Sequence, residues 1–358
     1  MGRAIVDEAL RAGAKVTLFG RGKTGAGLFP GLTRLIGDRD SGDYRAVRAG
    51  SWDAVVDVSG YVPRHVGQAM NALGDRVGRY LFISSHAVYQ RAGVGPGSTE
   101  DTLRRPAVRD TEELAEDTYG PLKVACEDDV VARYGSRATI VRPGKVAGPH
   151  DWQDGLTYWA RRAARGGRVA LPGDPRQPVQ VVDSRDLGRL VVQLLADDRP
   201  GAFHAVGPAE PVTIGGLIQA CARAAGTRVQ IVPVPPETAP PLFPLIKTDW
   251  PSQQRSPGQG GRHARNSAGG NGGQCAGLGP TARRAAADPW LHSRARTIGP
   301  GAARQPGNRR LKCCYQKPLG FESLVNQTPW VLAGINLTTC GVLVRQAVPL
   351  RVEPGRLG

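Results

Sequence analysis

Tyr119 and Lys123 stand four residues apart at the start of an apolar-periodic segment that runs through Leu122, Val124, Ala125, Val130 and Val131. On a helix, positions i and i+4 share a face, so a phenol and an ammonium would lie side by side. About thirty residues earlier, Arg79-Tyr-Leu-Phe-Ile-Ser84-Ser85-His86-Ala-Val-Tyr89 reads as a short apolar strand ending on two serines. Open α/β sheets place reactive groups at such an edge. A free tyrosine ionises near pH ~10 and is a poor base at neutral pH. A nearby ammonium favours the phenolate, and a serine hydroxyl can hold the substrate oxygen whose proton the phenol takes or returns. The pattern predicts acid–base work at a hydroxyl or carbonyl carbon. Tyr-x-x-x-Lys alone occurs by chance in many helices; the strand-Ser-Ser stretch ahead of it makes it specific.

The elements that would hold these residues alternate. Residues 3–12 have helical periodicity and stop at Gly13, and Lys15-Val-Thr-Leu-Phe19 follows as a buried strand. Leu35-Ile-Gly-Asp38 and Trp52-Asp-Ala-Val-Val-Asp-Val58 read as further strands, the second running into Ser59-Gly60-Tyr61. A helix over 63–73 has Pro63 in its first turn. Another strand, Ala138-Thr-Ile-Val141, runs into Arg142-Pro143-Gly144. Beyond it lie a helix over 156–164, strands at 168–171, 179–182, 202–206 and 229–234, a helix after Asp183, and a helix capped by Thr213. Strands alternating with helices predict an α/β fold with a parallel sheet. The glycine-rich then acidic loop 92–118 reads as a flap beside the site, its Glu112, Glu113, Glu116 and Asp117 as solvated or helix-starting charges.

The 358 residues suffice for one large domain or two modest ones, and carry a formal charge of +16. Residues 1–250 hold 32 basic and 28 acidic side chains, whereas residues 251–358 hold 15 and 3. The basicity belongs to the tail, so the part with the motifs is not read as a nucleic-acid surface. Cysteines at 126, 221, 275, 313, 314 and 340 show no metal-ligand spacing; they read as reduced thiols, with no metal site expected. No signal peptide opens the chain, and the apolar stretch 330–344 is too short to span a bilayer, so the expectation is cytoplasmic.

Four stretches carry a family resemblance over roughly residues 2–235: Ile83-Ser-Ser-His-Ala-Val-Tyr89, Tyr119-Gly-Pro-Leu-Lys123, Val141-Arg-Pro-Gly-Lys-Val-Ala-Gly-Pro149 and Val182-Asp-Ser-Arg-Asp-Leu187. With them the chain resembles the extended short-chain dehydrogenase/reductases, the NAD-dependent epimerase/dehydratase family. The resemblance implies a Rossmann-like doubly wound parallel sheet with a small C-terminal substrate lobe. It makes Ser85, rather than Ser84, catalytic, Tyr119 the acid/base, and Lys123 the residue that binds the nicotinamide ribose and tunes the tyrosine. It further implies Asp38, Ser59, Gly60 and Pro143 against the cofactor. His86, Tyr89, Arg142 and Trp152 are the candidates for substrate, with surface or packing roles open for Arg142. His204 reads as structural.

A dinucleotide fold opens on a strand, then a glycine-rich turn, then a helix. This chain opens on the helix, and only Gly2 could remain from the turn. The first strand is therefore expected to be missing, by a gene start set too late rather than a truncated product. Its central place would leave neighbouring strands unpaired, and poor cofactor binding is expected. Arg21 and Lys23, in a loop without an acid, favour NADP over NAD. The expected domains are residues 1–250, with the substrate lobe at about 143–250, and a low-complexity basic tail at 251–358, disordered or out of frame. The function expected is an NAD(P)-dependent epimerase, dehydratase or reductase acting on a small molecule such as a nucleotide sugar, with a homodimer as one assembly. The alternative is a non-catalytic NAD(P)-sensing or RNA-binding member of the fold, or an inactive remnant.

Overall fold

The computed structural model describes residues 1–90, 92, 94, 98–151, 154–207, 212–236 and 245, together with the backbone of 341–345. Helix α1 (Gly2–Arg11) turns Ile5, Val6 and Ala9 inward, and the chain leaves it through Gly13 at φ +77°. That left-handed turn is one glycine adopts at little cost. Strands β1 (Lys15–Gly20), β2 (Thr33–Ile36) and β3 (Trp52–Asp57) follow, then α2 (Pro63–Leu73), β4 (Val77–Ile83), α3 (Tyr119–Tyr134) and β5 (Ala138–Pro143). The second half contains β6 (Lys145–Ala147), α4 (Gly155–Ala164), β7 (Gly167–Pro172), β8 (Pro178–Val179) and β9 (Val181–Asp183). It continues with α5 (Ser184–Ala196), β10 (Gly201–Ala205), β11 (Val212–Thr213), α6 (Ile214–Ala224) and β12 (Val229–Val234), and β13 (Gly341–Arg345) is the last described strand.

Seven strands form one sheet in the order β10-β5-β4-β3-β13-β1-β2. All neighbours in it are parallel except β13, which is antiparallel to both β1 and β3. Both faces are covered, which is why β3, β4 and β5 are apolar almost without alternation. One face packs Val66, Met70 and Leu73 of α2 and Cys126, Val130 and Tyr134 of α3 on Trp52, Val55, Tyr80 and Phe82. The other packs Ile5 and Val6 of α1 and Leu187, Val191 and Leu194 of α5 on Val16, Leu18, Val56, Leu81 and Val141. Each fully buried side chain of this size stabilises by about 1.5–3 kcal/mol. The result is a Rossmann-like doubly wound sheet.

One expectation fails here. The place between β1 and β3 is not left open. The backbone of β13 lies in it, with Lys15 opposite Arg345 and Phe19 opposite Gly341 on one side, and Val56 opposite Val342 on the other. The rest of the tail expected at 251–358 lies outside the described residues.

A third apolar cluster sits in the lobe after β5, where α4 and α6 close on the parallel pair β7–β12 around a fully buried Trp159. The single strand expected at 179–182 is two, because the chain changes partner at Gln180. β8 pairs with β11 antiparallel, and β9 pairs with β6 parallel. Among the described residues no helix is long and apolar enough to cross a membrane.

Candidate active site

Strand β4 carries Ser84 and Ser85 out of its carboxyl end. The Ser84 N–H donates to the Val141 carbonyl at 2.7 Å, extending the ladder to β5 by one residue. Ser85 is extended (φ −158°, ψ 152°) and caps a single helical turn, His86–Val88, with its Oγ accepting from the Ala87 N–H at 3.2 Å. Helix α3 begins against this turn. A Cβ at Gly120 would lie 2.2 Å from the Ala87 carbonyl oxygen, so only glycine lets the helix approach so closely. The residue just before it, Tyr119, is thereby brought to the side of the Ser85 turn. The Tyr61 ring lies beside that of Tyr119, centroids 6.5 Å apart. Burial pushes the Tyr119 phenol above its ordinary pKa, and the Ser85 hydroxyl pulls it back.

Lys123, one turn further along α3, is 2% exposed. Its ammonium donates to the Gly60 carbonyl at 2.6 Å and the Ile83 carbonyl at 2.7 Å, tying the turn after β3 to the end of β4. It lies 4.1 Å from the centroid of Phe82 and 5.5 Å from that of Tyr61, within cation–π range. This differs from the expectation. The charge that was to favour the Tyr119 phenolate is directed at two carbonyls, and the downward pull on the phenol comes from Ser85. Desolvation lowers Lys123 itself to about 8.

That lowering has a sign that can be measured. Between about 8 and the ordinary 10.5, the unfolded chain holds a proton on this amine that the folded chain has lost. Stability therefore gains from this group as pH rises through that window. From about pH 7.5 to pH 10 the gain is on the order of 2 kcal/mol. Urea unfolding of the wild type and Lys123→Met at the two pH values should show that gain in the wild type and its loss in the variant. Equal pH dependence would contradict the burial of a charged amine.

The other expected residues are distributed as follows. Gly2 is the first residue of α1, whose first turn has neither an acid nor a side-chain cap. The Gly60 carbonyl serves Lys123, and a Cβ there would strike Val66 and Phe82 at 2.6 and 2.7 Å. Ser59 is buried, its N–H donating to Asp57 at 3.2 Å. Asp38 closes the loop after β2, accepting from the Asp40 N–H at 3.0 Å. Lys23 is exposed. Arg21 lies 3.6 Å from Asp40, so an acid does reach this corner, from the following loop. The Pro143 carbonyl accepts from Nδ1 of His86 at 3.2 Å, which places His86 beside the serine turn. Trp152 lies outside the described residues.

Arg142 and Tyr89 are committed inward. Arg142 forms a two-pronged pair with Glu127 of α3 at 3.0 and 2.7 Å, and also donates to the Tyr89 hydroxyl and the Glu100 carbonyl, both at 2.7 Å. The Tyr89 hydroxyl shares a 2.6 Å hydrogen bond with His204 Nε2. Burial pushes Tyr89 up to about 12, against the pull of Arg142. The network joins α3, β5 and β10 to the loop at Glu100. Acids of the flap region make surface contacts, Glu112 pairing with Arg64 at 2.6 Å.

Sequence reasoning overlooked a second buried pair. Asp57, at the end of β3, meets Arg39 at 2.6 Å and accepts from the Tyr80 hydroxyl at 2.7 Å. Burial opposes its charge, but Arg39 outweighs it and holds the carboxyl below the usual range. Arg39 has two buried nitrogens, Nε and Nη1, without a hydrogen-bond partner. An Arg just beyond a strand carries no such signal locally; the acid partner stands 18 residues on.

The model of the NAD dependent epimerase/dehydratase family matches residues 50–206, the segment from β3 through β10 that holds Ser85, Tyr119 and Lys123. No curated protein matches the sequence. Among solved structures, the fold is similar to that of UDP-glucose 4-epimerase from Thermus thermophilus, at 19% identity, TM-score 0.52, over 71% of this chain and 86% of that one. It is similar to Thermotoga maritima UDP-glucose 4-epimerase at 16% identity, TM-score 0.54, over 71% and 85%. It is also similar to dTDP-glucose 4,6-dehydratase from Bacillus anthracis at 14% identity, TM-score 0.51, over 65% and 81%. At such identities these likenesses speak for the fold. The family model lies across the strands and the helix that carry Ser85 and Tyr119, so the stretch of the chain that resembles the NAD dependent epimerase/dehydratase family is residues 50–206.

Proposed function

We propose that the chain is a nicotinamide-dinucleotide-dependent epimerase, dehydratase or reductase acting at a hydroxyl or carbonyl carbon, with nucleotide sugars as its substrate class. The observation that carries this reading is the close approach of the α3 start, at Tyr119 and Gly120, to the Ser85 turn at the carboxyl end of β4. The Thermus and Thermotoga epimerases, which share the fold, were solved with NAD and with UDP-glucose respectively, and suggest the classes of cofactor and substrate. The nucleotide-binding part is assigned to the residues before about 143 and the substrate lobe to about 143–250.

The residues present fit a dinucleotide. Arg39 offers two buried, unpartnered N–H groups beside Asp57, and α1 opens with uncapped N–H groups and no acid in its first turn. Lys123 with the Gly60 turn would hold the nicotinamide ribose, and Arg21 with Lys23 a 2′-phosphate. When bound, the nicotinamide accepts or returns a hydride. Tyr119 keeps its proton at neutral pH and delivers it to a carbonyl oxygen. In the reverse direction the Ser85 hydroxyl stabilises the phenolate and steadies the substrate oxygen. Lys123 keeps the two strand ends together beneath them.

Calorimetric titration with NAD⁺ and NADP⁺ tests the reading. Because the contacts are few, binding is expected to be weak, with Kd on the order of 10⁻⁴ M. NADP⁺ should bind more tightly, and Arg21→Ala should weaken NADP⁺ by about tenfold or more while leaving NAD⁺ unchanged. Equal affinities would remove the NADP preference, and no dinucleotide binding would remove the enzyme reading for this chain.

A further inference from the structure

Strand β13 is the odd member of the sheet. The four other strand contacts run parallel and join elements close in sequence or linked by helical crossovers, whereas β13 runs antiparallel to both neighbours. It comes from about 300 residues away along the chain, a separation whose closure costs more entropy than any local crossover. The walls on either side owe nothing to it. β1 contributes Phe19 to one core layer and Val16 and Leu18 to the other; β3 contributes Trp52 and Val55 to the first and Val56 to the second. Residues 2–205 thus build a channel one strand wide, with apolar layers above and below. Its edges are rows of backbone N–H and C=O groups that stay unsatisfied unless a strand enters.

We infer that the channel between β1 and β3 is a strand-binding site, filled by the chain's own Gly341–Arg345 and open to the same stretch of a second copy. The occupant is recognised by backbone pairing, over five positions on β1 and three on β3. A central position covered on both faces demands an apolar run without proline, and Gly-Val-Leu-Val-Arg has one. A tethered strand competes at an effective concentration that falls as its tether lengthens, so exchange between copies grows as the protein approaches that concentration. The inference is independent of the catalytic reading, since neither Ser85 nor Tyr119 belongs to the two strands that form the channel walls.

In the full-length chain, Leu343→Pro removes a ladder donor from the middle of the occupant. Amide hydrogen exchange over residues 15–19 and 54–56 should become at least about tenfold faster. An acetylated peptide with the sequence of residues 341–347 should restore the protection. Unchanged protection in the variant, or a peptide that restores none, overturns the inference. Should Leu343→Pro fail to fold, a Val16→Cys/Val344→Cys pair in the otherwise unaltered chain gives the answer, since these residues are directly opposite. Mild oxidation followed by peptide mapping should find the 16–344 link within chains at low protein concentration and increasingly between chains as concentration rises. No such link, or one confined within chains at every concentration, overturns it.

Discussion

Tyr119→Phe should lower turnover by about 10²–10⁴-fold, the usual contribution of a positioned proton-transfer group. The substitution removes one oxygen and keeps the ring that packs beside Tyr61. Dinucleotide affinity and the unfolding midpoint should stay within error of the wild type, because the Lys123 contacts to Gly60 and Ile83 do not involve the phenol. Ser85→Ala should cost less, since it removes a hydroxyl that lowers the phenol's pKa and leaves the phenol itself in place. Steady-state rates with saturating dinucleotide and a nucleotide sugar check both. A Tyr119→Phe enzyme of undiminished rate would remove the phenol from the mechanism, whatever its effect on binding.

Glu127→Ala should destabilise the fold by about 3–5 kcal/mol, the cost of leaving a buried charge without its partner. Arg142 has both prongs of its guanidinium on Glu127, and Arg104 reaches the same carboxylate at 3.1 Å. For a domain of this size the loss corresponds to a fall in melting temperature of roughly 6–20 °C. The double replacement Glu127→Met with Arg142→Met tests the cause. If the single variant suffers from an orphaned charge rather than lost volume, the double variant should recover most of the stability. Thermal unfolding of the three proteins decides, and a double variant no better than Glu127→Ala would assign the loss to packing.

How far the sequence discloses this arrangement depends on the range of the interaction. The Ser85 strand, the helix starting at Tyr119 and the glycine between Tyr119 and Pro121 are local patterns, and each element lies within a few residues of where periodicity puts it. The meeting of Ser85 with Tyr119 was legible because the motif couples a strand end to a helix start. The direction of the Lys123 amine was not, since its two carbonyl partners lie 63 and 40 residues away. Arg142 next to a turn reads like a surface cation until Glu127, fifteen residues back on α3, is brought against it. Likewise Arg39 finds Asp57 only after β1, β2 and β3 are assembled. The placement of residues 341–345 has no local signal at all, because the pairing is set by a vacancy in a sheet built by distant residues. Apolar periodicity marks elements; it says nothing of which distant groups will be buried together.

The central claim is that Tyr119 moves the substrate proton, and its pH dependence in the oxidising direction tests this most directly. With dinucleotide and nucleotide sugar saturating, single-turnover appearance of reduced nicotinamide should speed up as pH rises, because burial keeps the phenol protonated beyond its ordinary value near 10 and the phenolate is the base. Tyr119→Phe should be slow and should lose that rise. A rate that climbs with pH identically in the wild type and in Tyr119→Phe would contradict the account.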